Sequence, residues 1–394
     1  MDLFAGCGGF AEGFRTYRAG GKETGPTFRT VAAVDFDQAA LATFEANHPQ
    51  ASAMHLDIEE FAPDAFAGRI DVVTGGPPCQ GFSGLGKQRM DDPRNALWRE
   101  YTRVVSVVQP KVFVLENVDR FLKSYEYAEL LKAVQPGGVL SDYTLEQGLL
   151  NSADYGVPQA RKRVIVIGTH RSLGAPALLP APTHMQARHQ PASDLLFGDD
   201  PSLVPWVPVD RVFDLSSQLA LGGISLPRRS GTNGVPGPFR TRELHVGRTP
   251  TALSEARYRA IPLGGNRKDL RGRTARIGGR DEYLSTESWD GHHNGSGDVM
   301  GRLRLGRPSV TIRTEFFKPE KGRYLHPVEH RPITHYEAAL IQGFHPDYLW
   351  HGTKIQIARQ IGNAVPVGLA RAIAGTIHKR LVSGTGDLDR ADAR

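Results

Sequence analysis

A cysteine follows a Pro-Pro pair in the segment GGPPCQGFS, which runs from Gly75 to Ser83. The preceding run, Ile70 to Thr74, is rich in β-branched residues and predicts a buried strand, so the glycines and prolines mark where the chain leaves a sheet. Ligands of open α/β sheets bind at the carboxyl ends of strands. A thiolate on such a loop is available to an electrophile, and we interpret Cys79 as a candidate nucleophile. The alternative is a small buried apolar residue, because most free cysteines are buried.

The elements that position this loop are apolar strands that alternate with helical stretches in the first half of the chain. This alternation predicts an α/β fold with a doubly wound sheet. A glycine turn, Phe4 to Gly9, follows the first strand and precedes a helix that begins near Phe10. The predicted strands are Met1 to Phe4, Val31 to Asp35, Ile70 to Thr74, Val112 to Leu115 and Arg163 to Thr169.

The composition changes after Arg171, where prolines interrupt a stretch with little periodicity. Residues 191–304 are rich in Gly, Pro and Arg, and Ser309 to Thr314 is a short candidate strand beyond them. A helical pattern returns from Pro366 to Leu381. We therefore predict a second domain after residue 185, a separate C-terminal segment at 351–382, and a disordered tail at 383–394.

The formal charge of +6 and the isoelectric point near 9.3 suggest a polyanionic partner. Between Arg257 and Arg280 the chain carries eight basic residues and one acid, Asp269. Five glycines in this stretch favour loops that contact phosphates over a helix with a solvated face. No run approaches the roughly 20 apolar residues of a membrane span. Two cysteines make no disulfide framework, so we expect a cytoplasmic protein.

The chain resembles the cytosine carbon-5 DNA methyltransferase family. The resemblance covers nearly the whole chain, because the motifs occur in the order that the family shows. The matching blocks are DLFAGCGGF (2–10), VDFD (34–37), LDI (56–58), PPCQGFS (77–83), ENV (116–118), LNSADYGVPQARKRV (150–164), GRPSVTIRTEFFKPEKGRYLHP (306–327) and QIGNAVPVGLA (360–370).

The resemblance implies a Rossmann-like sheet that binds S-adenosylmethionine. Asp35 is expected to accept hydrogen bonds from the ribose hydroxyls, and Phe36 to stack on the adenine, although core packing is the alternative for Phe36 and Leu97. Other positions match residues that contact the adenine edge or close over the methionine part. The complete predicted set is Phe4, Gly6, Gly8, Gly9, Asp35, Phe36, Asp57, Ile58, Pro77, Leu97, Asn363, Ala364 and Val365.

The resemblance also implies covalent catalysis, in which the Cys79 thiolate adds to carbon 6 of cytosine. Glu116 would protonate or hydrogen bond ring nitrogen 3, which requires a protonated carboxyl that partial burial favours. Arg163 would donate to the cytosine carbonyl oxygen, where negative charge builds. Arg161 shares its face of the strand, and we include it among the catalytic candidates, with support of the pocket as its expected role. No metal is expected.

The target base must leave the stack to react on both faces, so the partner is double-stranded DNA from which cytosine is flipped. The resemblance assigns 1–185 to catalysis, 186–350 to target recognition in a smaller irregular domain, and 351–382 to a segment that returns to the catalytic domain. We expect a monomer, with a restriction endonuclease as a possible neighbouring gene product. Expected DNA contacts are Gln80, Ser83, Lys87, Arg89, Arg257, Arg267, Lys268, Arg271 and Arg273.

Three alternatives share parts of this pattern. A transfer-RNA cytosine methyltransferase has the same chemistry but a more compact second domain. An amino-group methyltransferase would carry an acidic or polar residue before Pro-Pro and an aromatic residue after it. A silent DNA-binding regulator would have lost Cys79 or Glu116, and both are present.

Overall fold

The computed structural model describes residues 1–20, 25–78, 97–186, 202–231, 234–291 and 297–391, with side chains as far as residue 383. The chain forms two compact units. Unit 1 comprises Met1–Tyr155, Lys162–Thr183 and Ala364–Arg394, and unit 2 comprises Gly156–Arg161 and His184–Asn363. The sequence prediction placed the corresponding boundaries after residue 185 and before residue 351.

The described strands, in chain order, are β1 (Asp2–Leu3), β2 (Ala32–Asp35), β3 (Ser52–His55), β4 (Val72–Gly75), β5 (Val112–Asn117), β6 (Tyr143–Asn151), β7 (Gln159–Ala160), β8 (Lys162–His170), β9 (His184–Met185), β10 (Val204–Pro205), β11 (Phe239–Arg240), β12 (Thr274–Ile277), β13 (Arg280–Tyr283), β14 (Ser309–Val310) and β15 (Leu349–Trp350). The described helices are α1 (Gly9–Thr16), α2 (Gln38–Asn47), α3 (Leu97–Val108), α4 (Tyr125–Ala133), α5 (Asp210–Ser216), α6 (Ala252–Ala260), α7 (Glu287–Asp290), α8 (His335–Ile341), α9 (Lys354–Asn363) and α10 (Val367–Ala391).

A seven-stranded sheet in the order β3-β2-β1-β4-β5-β8-β6 organises the described part of unit 1. The strands from β3 to β5 are parallel, and β8 runs antiparallel to both of its neighbours. The doubly wound α/β class predicted from the sequence is therefore confirmed. Strand order reverses at β1, with β2 on one side and β4 on the other, which is where such sheets bind ligands.

Helices α1 and α10 pack together in unit 1, although they lie at opposite ends of the sequence. At Gly13 of α1, a side chain would overlap Ala370 of α10 and come within 2.8 Å of the backbone nitrogen of Arg371. Phe10 and Phe14 of α1 join Ile373 of α10 in one buried apolar cluster. The last helix thus completes the core of the unit that contains the first strand.

Unit 2 has short strands, and buried polar side chains supply hydrogen bonds that long strands would otherwise make. Arg302 is 1% exposed, and its guanidinium donates to four backbone carbonyls, those of Tyr258, Ile261, His326 and Glu329. Such a group is tolerated in a core because each donor finds an acceptor. The candidate strand Ser309 to Thr314 is shorter than predicted, since β14 ends at Val310.

The C-terminal helix is longer than its apolar pattern indicated. Helix α10 continues to Ala391, into the segment for which the sequence predicted a disordered tail. In the described ranges, no helix combines the length and the apolar character that a membrane span requires.

We expect Gly13→Ala to lower the free energy of unfolding by about 1 kcal/mol or more. Overpacking costs about 1–3 kcal/mol, and the overlap of the added Cβ with Ala370 places the cost in the upper part of this range, while alanine in a helix recovers only about 1 kcal/mol relative to glycine. Gly25→Ala is the matched control, because a Cβ at Gly25 meets nothing within 4 Å. Urea denaturation of the three proteins measures the difference. Equal stability of Gly13→Ala and the wild type would contradict the close packing of α1 on α10.

Candidate active site

The glycine turn after β1 has a backbone that admits a ligand closely. Phe4, Gly6 and Gly8 all have positive φ angles, of 54°, 54° and 89°. Such an angle is uncommon for phenylalanine and marks local strain of the kind that concentrates at functional sites. At Gly9, a Cβ would lie 2.6 Å from the carbonyl oxygen of Val365, so only glycine fits. The turn and the segment at Val365 are therefore packed together within unit 1.

Asp35 at the end of β2 holds this turn in place. Its Oδ2 accepts a hydrogen bond from the Gly6 amide at 2.7 Å, and its Oδ1 accepts one from the Asp37 amide at 2.8 Å. Burial raises the pKa of Asp35, and these two amides oppose the rise. A carboxylate has about four acceptor positions, so two remain for a ligand. The next residue, Phe36, is 68% exposed and presents a free aromatic face.

The remaining predicted cofactor residues have mixed environments. Ile58 is buried in the core and Leu97 packs against it, while Asp57 accepts a hydrogen bond from the Glu59 amide at 3.1 Å. Pro77 is buried next to β4. The other predicted members are the buried Ala364 in unit 1 and the exposed Asn363, which ends α9 in unit 2.

Glu116 and Arg163 meet across the antiparallel strands β5 and β8. The Nε atom of Arg163 lies 2.8 Å from Oε1 of Glu116, and the two side chains are 15% and 11% exposed. No hydrogen bond of ordinary geometry reaches this buried Oε1 from the described residues. A buried carboxylate oxygen with spare acceptor capacity next to a guanidinium can both bind and polarise a planar polar ligand.

The cysteine loop begins beside this pair. A Cβ at Gly76 would lie 3.1 Å from Oε2 of Glu116. Asn117 Nδ2 donates to the Pro77 carbonyl at 3.2 Å, which fastens the Pro-Pro segment to the end of β5. The sequence prediction gave no role to Gly76 or Asn117, although both lie within its motifs. Cys79, Gln80, Ser83, Lys87 and Arg89 lie outside the described residues.

The other cysteine, Cys7, is unsuited to nucleophilic chemistry. It is 1% exposed, and burial raises the pKa of its thiol well above the ordinary value. A thiol that stays protonated is a poor nucleophile. The chain's other thiol, Cys79, therefore remains the candidate.

Arg161, included among the catalytic candidates with support of the pocket as its expected role, bonds to backbone carbonyls within unit 2. It is 3% exposed, and its Nη1 donates to the carbonyls of Ile312 and Gly362, both at 2.9 Å. The spacing of two residues from Arg163 suggested a shared face, but Lys162 begins a new strand and Arg161 belongs to unit 2. Its contacts support a positioning role.

Two of the predicted DNA contacts in unit 2 make hydrogen bonds to backbone carbonyls of that unit. Arg257 Nε donates to the Leu284 carbonyl at 2.7 Å, and its guanidinium lies 4.9 Å from the Trp289 ring centre. Arg267 is 5% exposed and donates to the Trp289 carbonyl at 2.6 Å. Both guanidinium groups use part of their donors on backbone carbonyls within unit 2, which leaves fewer of these donors for a phosphate. A count of charges along the sequence could not distinguish Arg257 and Arg267 from the exposed basic residues of the same stretch.

The exposed part of the basic stretch forms a loop and a hairpin, so the prediction of loops alone was wrong in part. Strands β12 and β13 pair through Gly278 and Gly279, whose φ angles of 57° and 85° suit a two-residue hairpin turn. Asp281 lies 3.5 Å from Arg276 across the hairpin, which lowers the local excess of positive charge. The exposed basic side chains of this loop and hairpin are Lys268, Arg271, Arg273, Arg276 and Arg280, and Arg259 is exposed on α6.

Known proteins are similar to this chain in sequence and in fold. Residues 1–205 and 249–379 match the model of the C-5 cytosine-specific DNA methylase family. The chain is 33% identical to type II methyltransferase M.XorII of Xanthomonas oryzae pv. oryzae, over 97% of the chain and 84% of that protein. It is 31% identical to type II methyltransferase M.AgeI of Thalassovita gelatinovora, over 96% of the chain and 98% of that protein.

Solved structures agree on the fold. A prophage-encoded protein of E. coli, described as a DNA modification methyltransferase, matches 97% of this chain and 98% of its own with a TM-score of 0.63 and 22% identity. Dnmt2 methyltransferase of S. pombe matches 97% of this chain with a TM-score of 0.53 and 16% identity. The chain thus has the mixed α/β methyltransferase fold. The chain belongs to the C-5 cytosine-specific DNA methylase family, and the protein is a DNA (cytosine-5)-methyltransferase.

We expect Arg163→Met to lower the free energy of unfolding by about 3 kcal/mol, because it leaves the Glu116 carboxylate buried without its cation. The double variant Arg163→Met/Glu116→Gln should recover part of this loss. Lys111→Met is the control, since Lys111 pairs with Asp71 at 2.9 Å in the same unit but both are at least half exposed. Exposed pairs contribute about 0–1 kcal/mol. Equal losses from Arg163→Met and Lys111→Met in urea denaturation would show that the site pair is not desolvated.

Proposed function

We propose that the protein transfers a methyl group from S-adenosylmethionine to carbon 5 of a cytosine flipped out of a specific duplex DNA sequence, through a covalent Cys79 adduct. The observation that carries the proposal is the desolvated Glu116–Arg163 pair at the start of the Pro-Pro-Cys loop. In this pair an acid and a cation lie close enough together for one small planar base to form hydrogen bonds with both. We further propose that this methylation is the modification half of a restriction-modification system.

The carboxyl edge of the sheet fits the cofactor. The glycine turn lets a ligand approach the backbone, Asp35 keeps acceptor positions for two hydroxyls, and Phe36 presents an aromatic face. Aromatic faces of this kind stack on adenine. When bound, S-adenosylmethionine supplies the methyl group as an electrophilic carbon on a sulfonium. The residues that would hold it are the thirteen of the predicted set, with Ile58 and Leu97 contributing as part of the core.

Cysteine chemistry activates carbon 5. The Cys79 thiolate forms a bond to carbon 6, and the ring electrons move to carbon 5, which becomes nucleophilic. After carbon 5 has gained the methyl group, it loses its proton to a base, and the bond from Cys79 to carbon 6 breaks. The thiolate is regenerated and the ring is aromatic again, so atoms and charge balance.

Glu116 and Arg163 lower the barrier to the first addition. Glu116, after taking up a proton from solvent, donates that proton or a strong hydrogen bond to ring nitrogen 3, while Arg163 donates to the carbonyl oxygen. The ion pair between them orients both groups before the base arrives. Donors that are already oriented stabilise the developing charge strongly, because they need no reorganisation during the reaction.

Duplex DNA is bound by unit 2 through its exposed basic side chains. Lys268, Arg271 and Arg273 lie in the loop before the hairpin, and Arg276 and Arg280 lie on it. A two-stranded ribbon fits the major groove, where arginine reads guanine, while the loop cations contact phosphates. Gln80, Ser83, Lys87 and Arg89 remain proposed contacts on the cysteine loop.

The restriction-modification role is supported by the relatives, which are named type II methyltransferases. Bisulfite sequencing of DNA from cells that express the protein tests it, together with digestion by endonucleases that cut the same sequence when it is unmethylated. Methylation at one short sequence that blocks cleavage is expected. Methylation spread over cytosines in every context would contradict sequence-specific modification.

We expect Cys79→Ser to abolish methyl transfer while S-adenosylmethionine still binds, because the sulfur reacts with cytosine. The test uses duplex DNA with 5-fluorocytosine at the target, since fluorine cannot leave carbon 5 as a cation and the adduct persists. The wild type and Cys7→Ser, the matched control, should form a stable adduct on denaturing gels. Equal adduct formation by Cys79→Ser would remove Cys79 from the mechanism.

We expect Arg271→Ala to weaken binding of all duplexes and to reduce the slope of log affinity against log salt by about 1, the contribution of one phosphate contact. Arg259→Ala is the control, because Arg259 is also exposed but pairs with Glu255 at 2.8 Å on α6. Fluorescence anisotropy at several salt concentrations measures both slopes. An unchanged slope for Arg271→Ala would place its side chain away from the DNA backbone.

A further inference from the structure

A buried network of three side chains, Gln159, Arg161 and Gln342, lies in unit 2, and we name it the clasp. Gln159 and Gln342 are both 0% exposed, and Gln159 Nε2 donates to Gln342 Oε1 at 2.7 Å. Gln159 Oε1 accepts a hydrogen bond from the Ile312 amide at 2.8 Å. Arg161 donates to the carbonyl of the same Ile312. The two glutamine side chains therefore bond to each other, and all three side chains bond to backbone groups.

The clasp also holds the end of α9. Gln342 donates to the Ile361 carbonyl, and Arg161 donates to the Gly362 carbonyl. Both carbonyls belong to the last turn of α9, whose carbonyls have no partners within the helix. A cation at a helix C-terminus is also favoured by the helix dipole. At Gly362 a Cβ would lie 2.5 Å from the carbonyl carbon of Arg313, so this end is closely packed.

The clasp holds two of the places where the chain passes from unit 2 to unit 1. Arg161 is the last residue of unit 2 before Lys162, and Arg163 follows one residue later. Gly362 is the next-to-last residue before Ala364, where unit 1 resumes with the segment that packs on Gly9. One guanidinium thus fixes both the segment that leads to the cytosine-binding arginine and the segment that leads to the cofactor turn.

We propose that Arg161 is a positioning residue that couples the cytosine pocket to the cofactor turn. Its hydrogen bonds set where the chain enters β8 and where it leaves α9, so a change at Arg161 displaces both Arg163 and the Asn363–Val365 turn. This inference rests on the proposed roles of Arg163 and of that turn. A displacement of about 1 Å at such a site reduces rates by about a hundredfold.

The test compares Arg161→Met, Arg161→Lys and Arg163→Met. Calorimetry measures S-adenosylmethionine affinity without DNA, and the rate of adduct formation with 5-fluorocytosine duplexes measures the cytosine side. Arg161→Met should lower both the affinity and the rate by about tenfold or more, whereas Arg163→Met should lower only the rate. Arg161→Lys should recover part of both losses, because an ammonium can still reach one of the two carbonyls.

Arg302→Met separates positioning from general loss of stability. Arg302 is another buried arginine of unit 2 that donates to backbone carbonyls, and it lies outside the clasp. It should lower the melting temperature but leave the affinity and the rate unchanged at a temperature where all variants are folded. Unchanged cofactor affinity in Arg161→Met would overturn the coupling. An unchanged adduct rate in Arg163→Met would instead contradict the proposed catalytic role of Arg163.

Discussion

The antiparallel pairing of β8 with β5 is the constraint on which the candidate site depends. Parallel strands bring carboxyl ends together, but an antiparallel neighbour brings the start of one strand to the end of the other. Glu116 near the end of β5 and Arg163 near the start of β8 consequently meet at the same edge of the sheet. The glycine turn after β1 and the cysteine loop after β4 open at this edge too. The antiparallel strand β8 thus brings the Arg163 guanidinium to the edge of the sheet where the loops after the parallel strands lie.

Removing Glu116 and Arg163 from water costs free energy, and the chain next to them is closely packed at Gly76. A buried ion pair gains little over an apolar pair, but a buried charge without its partner is strongly unfavourable. The carboxylate must therefore stay beside Arg163, and Gly76 lets the chain pass next to it without a side chain. Asn117 fastens the following prolines to the same strand. The loop that carries Cys79 begins at an anchored point.

Much of unit 1 could be predicted from the sequence, because buried parallel strands are continuous apolar runs. The strands β3 and β6 were missed, since Ser52–His55 is a partly exposed edge strand and β6 carries polar residues along its length. In unit 2, two-residue strands leave no periodic signal. The contact between Glu116 and Arg163 depends on strand register, which spacing alone does not specify. Arg161 was grouped with Arg163 by spacing and resemblance, and Arg257 was assigned by charge, but both donate hydrogen bonds to backbone carbonyls of their own unit.

The packing of α1 on α10 has a consequence for how the protein is made. During synthesis the amino-terminal strands leave the ribosome first, yet the apolar face formed by Phe10, Phe14 and Ile165 is covered only when Ile373 and Ile377 have followed. Contacts between such distant segments form slowly, because a long loop must close first. The nascent chain therefore exposes an apolar surface that is prone to aggregation throughout most of translation. Chaperones that shield apolar segments have a long interval in which to act.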